Sequence, residues 1–274
     1  MHKYDYDFFK VGAEYILNRI NFIPEIAIIL GSDLGNIAEK IKNKIIIEYS
    51  DIPNFLLSTV ESHQGKLILG ELEGKNVVCM AGRFHFYEGY DFEQLTIPVR
   101  ILKLIGIKKL ILTNIVGAVN RNYQQGDLML IKDHIKLNGA SPLRGYNVKE
   151  FGPRFFDVTD MYSQTFRELA LKCAQELGIM VHEGVYFFMP GPQFETKAEI
   201  NLISMLGGDV VGMSTVTEAL TAAHCGIETL GISLIVNMAA GVTSEKISVK
   251  EVEHVVSSCI NKMENLLCQI VRKI

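Results

Sequence analysis

Three side chains suited to handling an anion fall close together in G-R-F-H-F-Y-E-G-Y, the stretch Gly82 to Tyr90. Arg83 offers a planar fork of donors, His85 a further donor and Tyr87 a hydroxyl on an aromatic plate, and Gly82 and Gly89 let the backbone turn around them. The apolar run Val77 to Met80 precedes them, so they read as a loop at the mouth of a strand. A surface hairpin with a salt-bridged arginine would look the same. Matching groups elsewhere in the chain favour a site.

Gly31 to Gly35, G-S-D-L-G, follows the apolar run Ile26 to Leu30, and a strand entering a Gly-rich turn before a helix exposes backbone N–H groups that can seat a phosphate. Ser32 would add a hydroxyl there, while Asp33 places a negative charge nearby. Ser214 precedes a helix start read as a capping box of Thr215 with Glu218, which puts its hydroxyl beside free N–H groups and assigns Glu218 to the cap. Thr196 with Glu199 forms a similar box, leaving Glu195 at the positive end of a helix, where a carboxylate is favoured whether or not it meets a ligand. The nearly continuous apolar run Thr229 to Val236 reads as a buried parallel strand, and it delivers the amide of Asn237 to the end where open α/β folds place ligands. His63, in S-H-Q-G, reads as a polar turn residue, and N-I-V-G-A at Asn114 to Ala118 as a turn after a strand.

The elements that must position these groups alternate along the chain. Helical periodicity covers Phe8 to Ile20, Leu95 to Ile105, Thr165 to Leu177 and a last helix opened by a third capping box, Ser248 with Glu251. In that helix Val252, Val255, Val256, Cys259, Met263, Leu266, Leu267 and Ile270 share one face. Strands are expected at Leu67 to Leu72 and Asn76 to Met80, a hairpin about E-G-K, and at Lys109 to Thr113, Leu128 to Ile131, His182 to Phe188 and Asp209 to Gly212. Alternation of this kind specifies an α/β fold with the polar candidates gathered at strand ends and helix starts. Ser141 to Arg154 lacks periodicity, the mark of a functional loop or of poor order; Phe151, Phe155 and Phe156 argue for a packed one.

Composition narrows the partners. With 48% hydrophobic and 21% charged residues over 274 positions and no compositional break, the chain reads as one soluble globular domain, 1–274. A formal net charge of -4 with both signs interspersed excludes the footprint of a nucleic-acid or anionic-membrane binder. No signal-peptide core or membrane-spanning run is present, which points to the cytosol. Five cysteines without C-x-x-C spacing argue for buried thiols rather than disulfides or a zinc site.

The chain resembles the trimeric purine nucleoside phosphorylases, the family that also contains the methylthioadenosine phosphorylases. The resemblance rests on G-S-D-L-G at 31, S-H-Q-G at 62, G-R-F-H-F-Y-E-G-Y at 82, L-T-N-I-V-G-A at 112, G-D-L-M-L-I-K-D-H-I at 126, G-P-Q-F-E-T at 191, V-G-M-S-T-V-T-E at 211 and V-N-M-A-A-G at 236. It implies one α/β domain, a mixed sheet partly closed into a barrel and flanked by helices. It also implies phosphate held by Ser32, His63, Arg83, His85, the backbone N–H of Ile115 and Ser214, and purine held by Glu195 and Asn237 with Phe194 beside it. Tyr87 and Met213 would meet the ribose, and Phe151 would reach into a neighbouring subunit's site, making a homotrimer functional. His85, Glu195 and Asn237 would carry the catalysis, with inorganic phosphate as co-substrate and no metal or organic cofactor.

These residue types suit phosphorolysis of a purine nucleoside in purine salvage. The departing base must gain a proton or a hydrogen bond as charge develops while the sugar becomes oxocarbenium-like. Asn237 would donate to N7, and Glu195 would accept from N1–H of a 6-oxopurine, an arrangement that repels the bare N1 of adenine. The sequence departs from the family pattern at Asp33, Ile115, Val116, Thr217 and Val236, and at Val249, which stands where the family has a histidine reaching the ribose 5′-hydroxyl. Val249 thus favours a methylthioadenosine-type phosphorylase, which Asn237 disfavours. A non-catalytic purine or nucleoside binder is the other alternative, and it has no use for the phosphate set.

Overall fold

The computed structural model describes residues 2–31, 34–60, 63–244 and 246–274, of which 35, 36 and 249 by backbone alone. Nine strands are described, β1 (Ile26–Ile29), β2 (Lys42–Glu48), β3 (Lys66–Leu72), β4 (Lys75–Ala81), β5 (Lys109–Ala118), β6 (Leu128–Ile135), β7 (Val181–Phe188), β8 (Val210–Gly212) and β9 (Glu228–Met238). They pair in the order β2-β3-β4-β1-β5-β8-β7-β6-β9, and β9 returns to pair with β5. Five strands thereby close into a barrel, with the other four extending from β5 as an open wing, which is the expected partly closed mixed sheet. Parallel and antiparallel neighbours alternate without a single pattern: β5 runs parallel to β1 and β9 but antiparallel to β8.

Helices α1 (Tyr6–Leu17), α2 (Ile97–Leu104), α3 (Gln164–Glu176), α4 (Lys197–Met205), α5 (Val216–His224) and α6 (Val249–Lys273) cover the sheet. The period of two along β1 sets the layers, because Ala27 and Ile29 join the core beneath α1, α2 and α5, while Ile26 and Ile28 join the core beneath α3 and α6. The last helix uses the expected face, with Val255, Val256, Met263, Leu266, Leu267 and Ile270 in that second core. None of the described helices is long and apolar enough to cross a membrane.

Most expected elements form within a few residues of their anticipated ends, and the hairpin turn at Glu73 and Gly74 has positive φ at both residues, as a type I′ turn requires. The sequence reading assigned no element to β2, an edge strand whose charged ends suit an unpaired sheet margin. N-I-V-G-A is not a turn. It continues β5 to Ala118, since β9 supplies a parallel partner along its whole length. Of the three capping boxes only Thr196 with Glu199 forms. Ser248 makes no side-chain cap, and Glu251 instead accepts from Gln125. The cysteines are free, four of them buried and Cys259 half-buried.

Candidate active site

Arg83, His85 and Tyr87 leave the carboxyl end of β4, where the chain turns at Gly82 (φ 119°). A side chain there would stand 2.7 Å from Cβ of His63, so glycine is required for the close approach as well as for the angle. The loop opens onto a concave cavity of about 200 Å³, mostly apolar with a few convergent polar groups, as small-molecule sites are. Its walls come from the ends of β4, β5, β8 and β9 and the starts of α4, α5 and α6.

One end of the cavity is a fastened polar cluster. Arg83, 2% exposed, donates through Nη1 to the hydroxyls of Ser214 (3.0 Å) and Thr215 (3.1 Å) and through Nη2 to the Ile29 carbonyl (3.4 Å). Asn114, from the continued strand β5, donates to the same Thr215 hydroxyl at 2.9 Å, and the backbone N–H of Ser214 donates to the Tyr186 hydroxyl at 3.1 Å. Thr215 is no ordinary cap. Its φ of 73° and ψ of -47°, with Val216 N–H donating to the Ser214 carbonyl at 2.7 Å, make a tight γ-turn that is strained for a β-branched residue. The turn aims its hydroxyl at Arg83 and away from α5, and the expected capping box with Glu218 is absent. Glu218 lies instead 3.5 Å from Arg83 Nε, with both side chains buried.

His85 is set by Glu88, three residues on. Glu88 accepts from the His85 backbone N–H (2.8 Å) and lies 3.0 Å from its Nδ1, while its other oxygen accepts from Thr59 N–H and hydroxyl. Against the cost of its burial, the bonds from His85 and Thr59 bring the Glu88 carboxyl down to about 2, so it is ionised near neutral pH. That carboxylate accepts a hydrogen bond from Nδ1–H, which leaves Nε2 for the cavity. The His85 ring stacks on Tyr87 at 4.6 Å, and burial pushes the Tyr87 hydroxyl up to about 12. His63 does not line the cavity. Its ring lies 5.2 Å from that of His85, and its Nδ1 is held by the Arg83 backbone. Burial first, and then the neighbouring His85, lower its pKa to about 4, so it is neutral near pH 7.

The other end is loosely built. Glu195, 8% exposed, has its pKa raised by burial, and the Asn237 amide donates to the Met238 carbonyl at 3.1 Å. A register slip between β5 and β9 sets Gly117 opposite Asn237, so that Val236 and Asn237 both line the cavity although they are adjacent in the strand. Gly117 leaves room for the amide: a side chain there would meet Asn237 Nδ2 at 3.1 Å. Phe194, Met213, Val211, Ile115 and Val252 complete an apolar surround.

The structure therefore brings Arg83, His85, Tyr87, Ile115, Phe194, Glu195, Met213, Ser214 and Asn237 to one cavity. Ser32 and Asp33 lie outside the described residues. Phe151 does not line the cavity of its own chain: it is 4% exposed and packed edge-on against Phe9 with Arg100 over its ring. The outward phenylalanine of that loop is Phe155, 89% exposed. The sequence gives no sign that Thr215, which has the spacing of a helix cap, and Asn114, which follows an apolar run, join the Arg83 cluster, whereas the three-residue spacing of His85 and Glu88 is a signal for their pairing.

Residues 25–272 match the Phosphorylase superfamily. The chain is 50% identical over 241 residues to purine nucleoside phosphorylase 1 of Geobacillus stearothermophilus, covering 88% of each. It is 43% identical to the purine nucleoside phosphorylase of Mus musculus, covering 86% of this chain and 83% of that one. A schistosome purine nucleoside phosphorylase solved with hypoxanthine superposes with a TM-score of 0.94 at 39% identity over 98% of each chain. The chain belongs to this superfamily and, within it, to the purine nucleoside phosphorylases.

Proposed function

We propose that this enzyme cleaves inosine, guanosine and their 2′-deoxy forms with inorganic phosphate, giving free purine and α-(deoxy)ribose 1-phosphate. The observation that carries the reading is one cavity with an anchored arginine and serine hydroxyl at one end and a carboxylate with an amide at the other. Schistosome relatives have been solved with inosine and with guanosine. Phosphate held by Arg83, Ser214 and His85 attacks C1′ from the face opposite the base, so immobilisation supplies much of the rate. His63 acts from behind, by holding the Arg83 backbone. Tyr87 and Met213 flank the sugar. Asn237 donates to N7 as the bond breaks, and ionised Glu195 accepts from N1–H, with Phe194 against the ring. No metal or organic cofactor enters this scheme.

A schistosome relative has also been solved with adenosine, so selectivity must be measured directly. The test is release of free base from inosine, guanosine, adenosine and methylthioadenosine, each with and without phosphate. Cleavage of the first two only with phosphate is expected. Release without phosphate, or preference for methylthioadenosine, would overturn the assignment. Val252, three residues after Val249, adds an apolar group to the cavity, and comparison of inosine with 5′-deoxyinosine reads out the sugar preference.

The enzyme is proposed to work in the cytosol as a homotrimer, with residues 1–274 as a single domain. Phe151 is proposed to meet a neighbouring subunit's site, and Phe155, 89% exposed in the same loop, is a side chain that a second copy would cover. Light scattering of the wild type should give three times the chain mass, and Phe155→Ser should weaken the assembly.

A further inference from the structure

The Arg83 guanidinium carries a second buried charge on its far side. Glu218 Oε1 stands 3.5 Å from Nε, yet Nε makes no hydrogen bond, so the contact is one of charge and not of direction. The remaining edges of the guanidinium are already directed by Ser214, Thr215 and the Ile29 carbonyl. Around the pair Ile29, Met80, Phe84, Leu95 and Pro98 leave almost no room for water, and both side chains are under a tenth exposed. In such surroundings a second charge is felt strongly.

Resting on the phosphorylase reading, we propose that Glu218 is a positioning residue that acts through Arg83: it offsets much of the arginine's charge and so keeps phosphate binding weak enough for reaction. Phosphate must give up negative charge toward the sugar as the new bond forms, and a fully uncompensated cation would stabilise bound phosphate more than the transition state. The orientation of the guanidinium survives loss of Glu218 because the hydroxyls and the carbonyl fix it. Its charge balance does not.

The experiment compares wild type, Glu218→Asp and Glu218→Gln by phosphate-dependent inosine cleavage and, without nucleoside, by the rise in melting temperature that phosphate produces. The aspartate is one methylene shorter and draws its charge back from Nε; the glutamine has none. Expected are phosphate KM values lower by about 2- to 3-fold for Glu218→Asp and about 10-fold for Glu218→Gln. Turnover at saturation should fall by similar factors with inosine KM unchanged, and the phosphate-induced melting shift should grow in the same order. An unchanged or raised phosphate KM in the variants would overturn the proposal, the former leaving Glu218 a purely structural ion-pair partner. If the glutamine variant does not fold, Glu218→Asp decides by the same criterion. A wild type that cleaves inosine without phosphate dependence would instead defeat the underlying phosphorylase reading.

Discussion

The two ends of the cavity are built in opposite ways. At the end proposed for phosphate Arg83, Ser214, Thr215 and Asn114 are each under a tenth exposed and bonded to one another before any ligand arrives, and a strained turn is held in place by the same contacts. At the end proposed for purine Asn237 turns back on the neighbouring carbonyl, Glu195 bonds its own backbone N–H, and Phe194 is 46% exposed. The first end is preorganised at the expense of folding stability if any member is lost. The second can lose a member and remain folded.

Arg83→Ala attacks the fastened end and should have the largest effect. It leaves Glu218 buried without its counter-charge, a loss of about 3–5 kcal/mol in stability, and removes the cation proposed to aim the phosphate. Phosphate-dependent base release should fall by at least about a thousandfold, and the melting temperature should drop sharply. Wild-type melting in this variant would contradict the interlocked picture. Asn237→Ala attacks the loose end: turnover should fall by roughly 100- to 1000-fold, while urea unfolding changes by no more than about 1 kcal/mol, because only one local bond is lost. A large stability loss here would erase the contrast between the ends.

Glu195 sharpens the comparison through pH. Burial raises its pKa above the ordinary 4.5, so protons neutralise it at a higher pH than an exposed carboxylate. Inosine KM should therefore rise on the acid side, beginning above pH 4.5, as the carboxylate proposed to accept N1–H is lost. Glu195→Gln should bind inosine weakly at every pH and show no such limb. An acid limb of the same position in that variant would assign the titration to another group.

How far the site could be read beforehand follows the same division. Side chains delivered by local patterns were legible: a Gly-bounded loop after an apolar run placed Arg83, His85 and Tyr87, a buried run placed Asn237, and a genuine capping box placed Glu195. Groups delivered by tertiary contact were not. Thr215 with Glu218 has the spacing of a capping box, but Arg83, distant in sequence, competes for both side chains and wins. The sequence alone places Asn114 in a turn, because it is β9, distant in sequence, that extends β5 through it. Phe151 and Phe155 are indistinguishable in type; packing against Phe9 and Arg100 separates them.

The smallest effect concerns His63, behind the fastened end. Folding holds its ring neutral, with a pKa near 4, whereas in the unfolded chain it takes up a proton below about 6.5. The unfolded state binds more protons between those values, so stability falls as pH drops from about 6.5 to about 4 and this group adds nothing further below that. Between pH 7 and pH 5 the loss from this ring alone amounts to about 2 kcal/mol. His63→Gln cannot titrate, so urea unfolding at the two pH values should show a smaller loss than in wild type, even if the variant is the less stable protein at pH 7 because the Arg83 backbone has lost its partner. Equal losses in the two proteins would mean that His63 accepts a proton in the folded state, and the Arg83 loop would then be less rigid than its buried contacts imply.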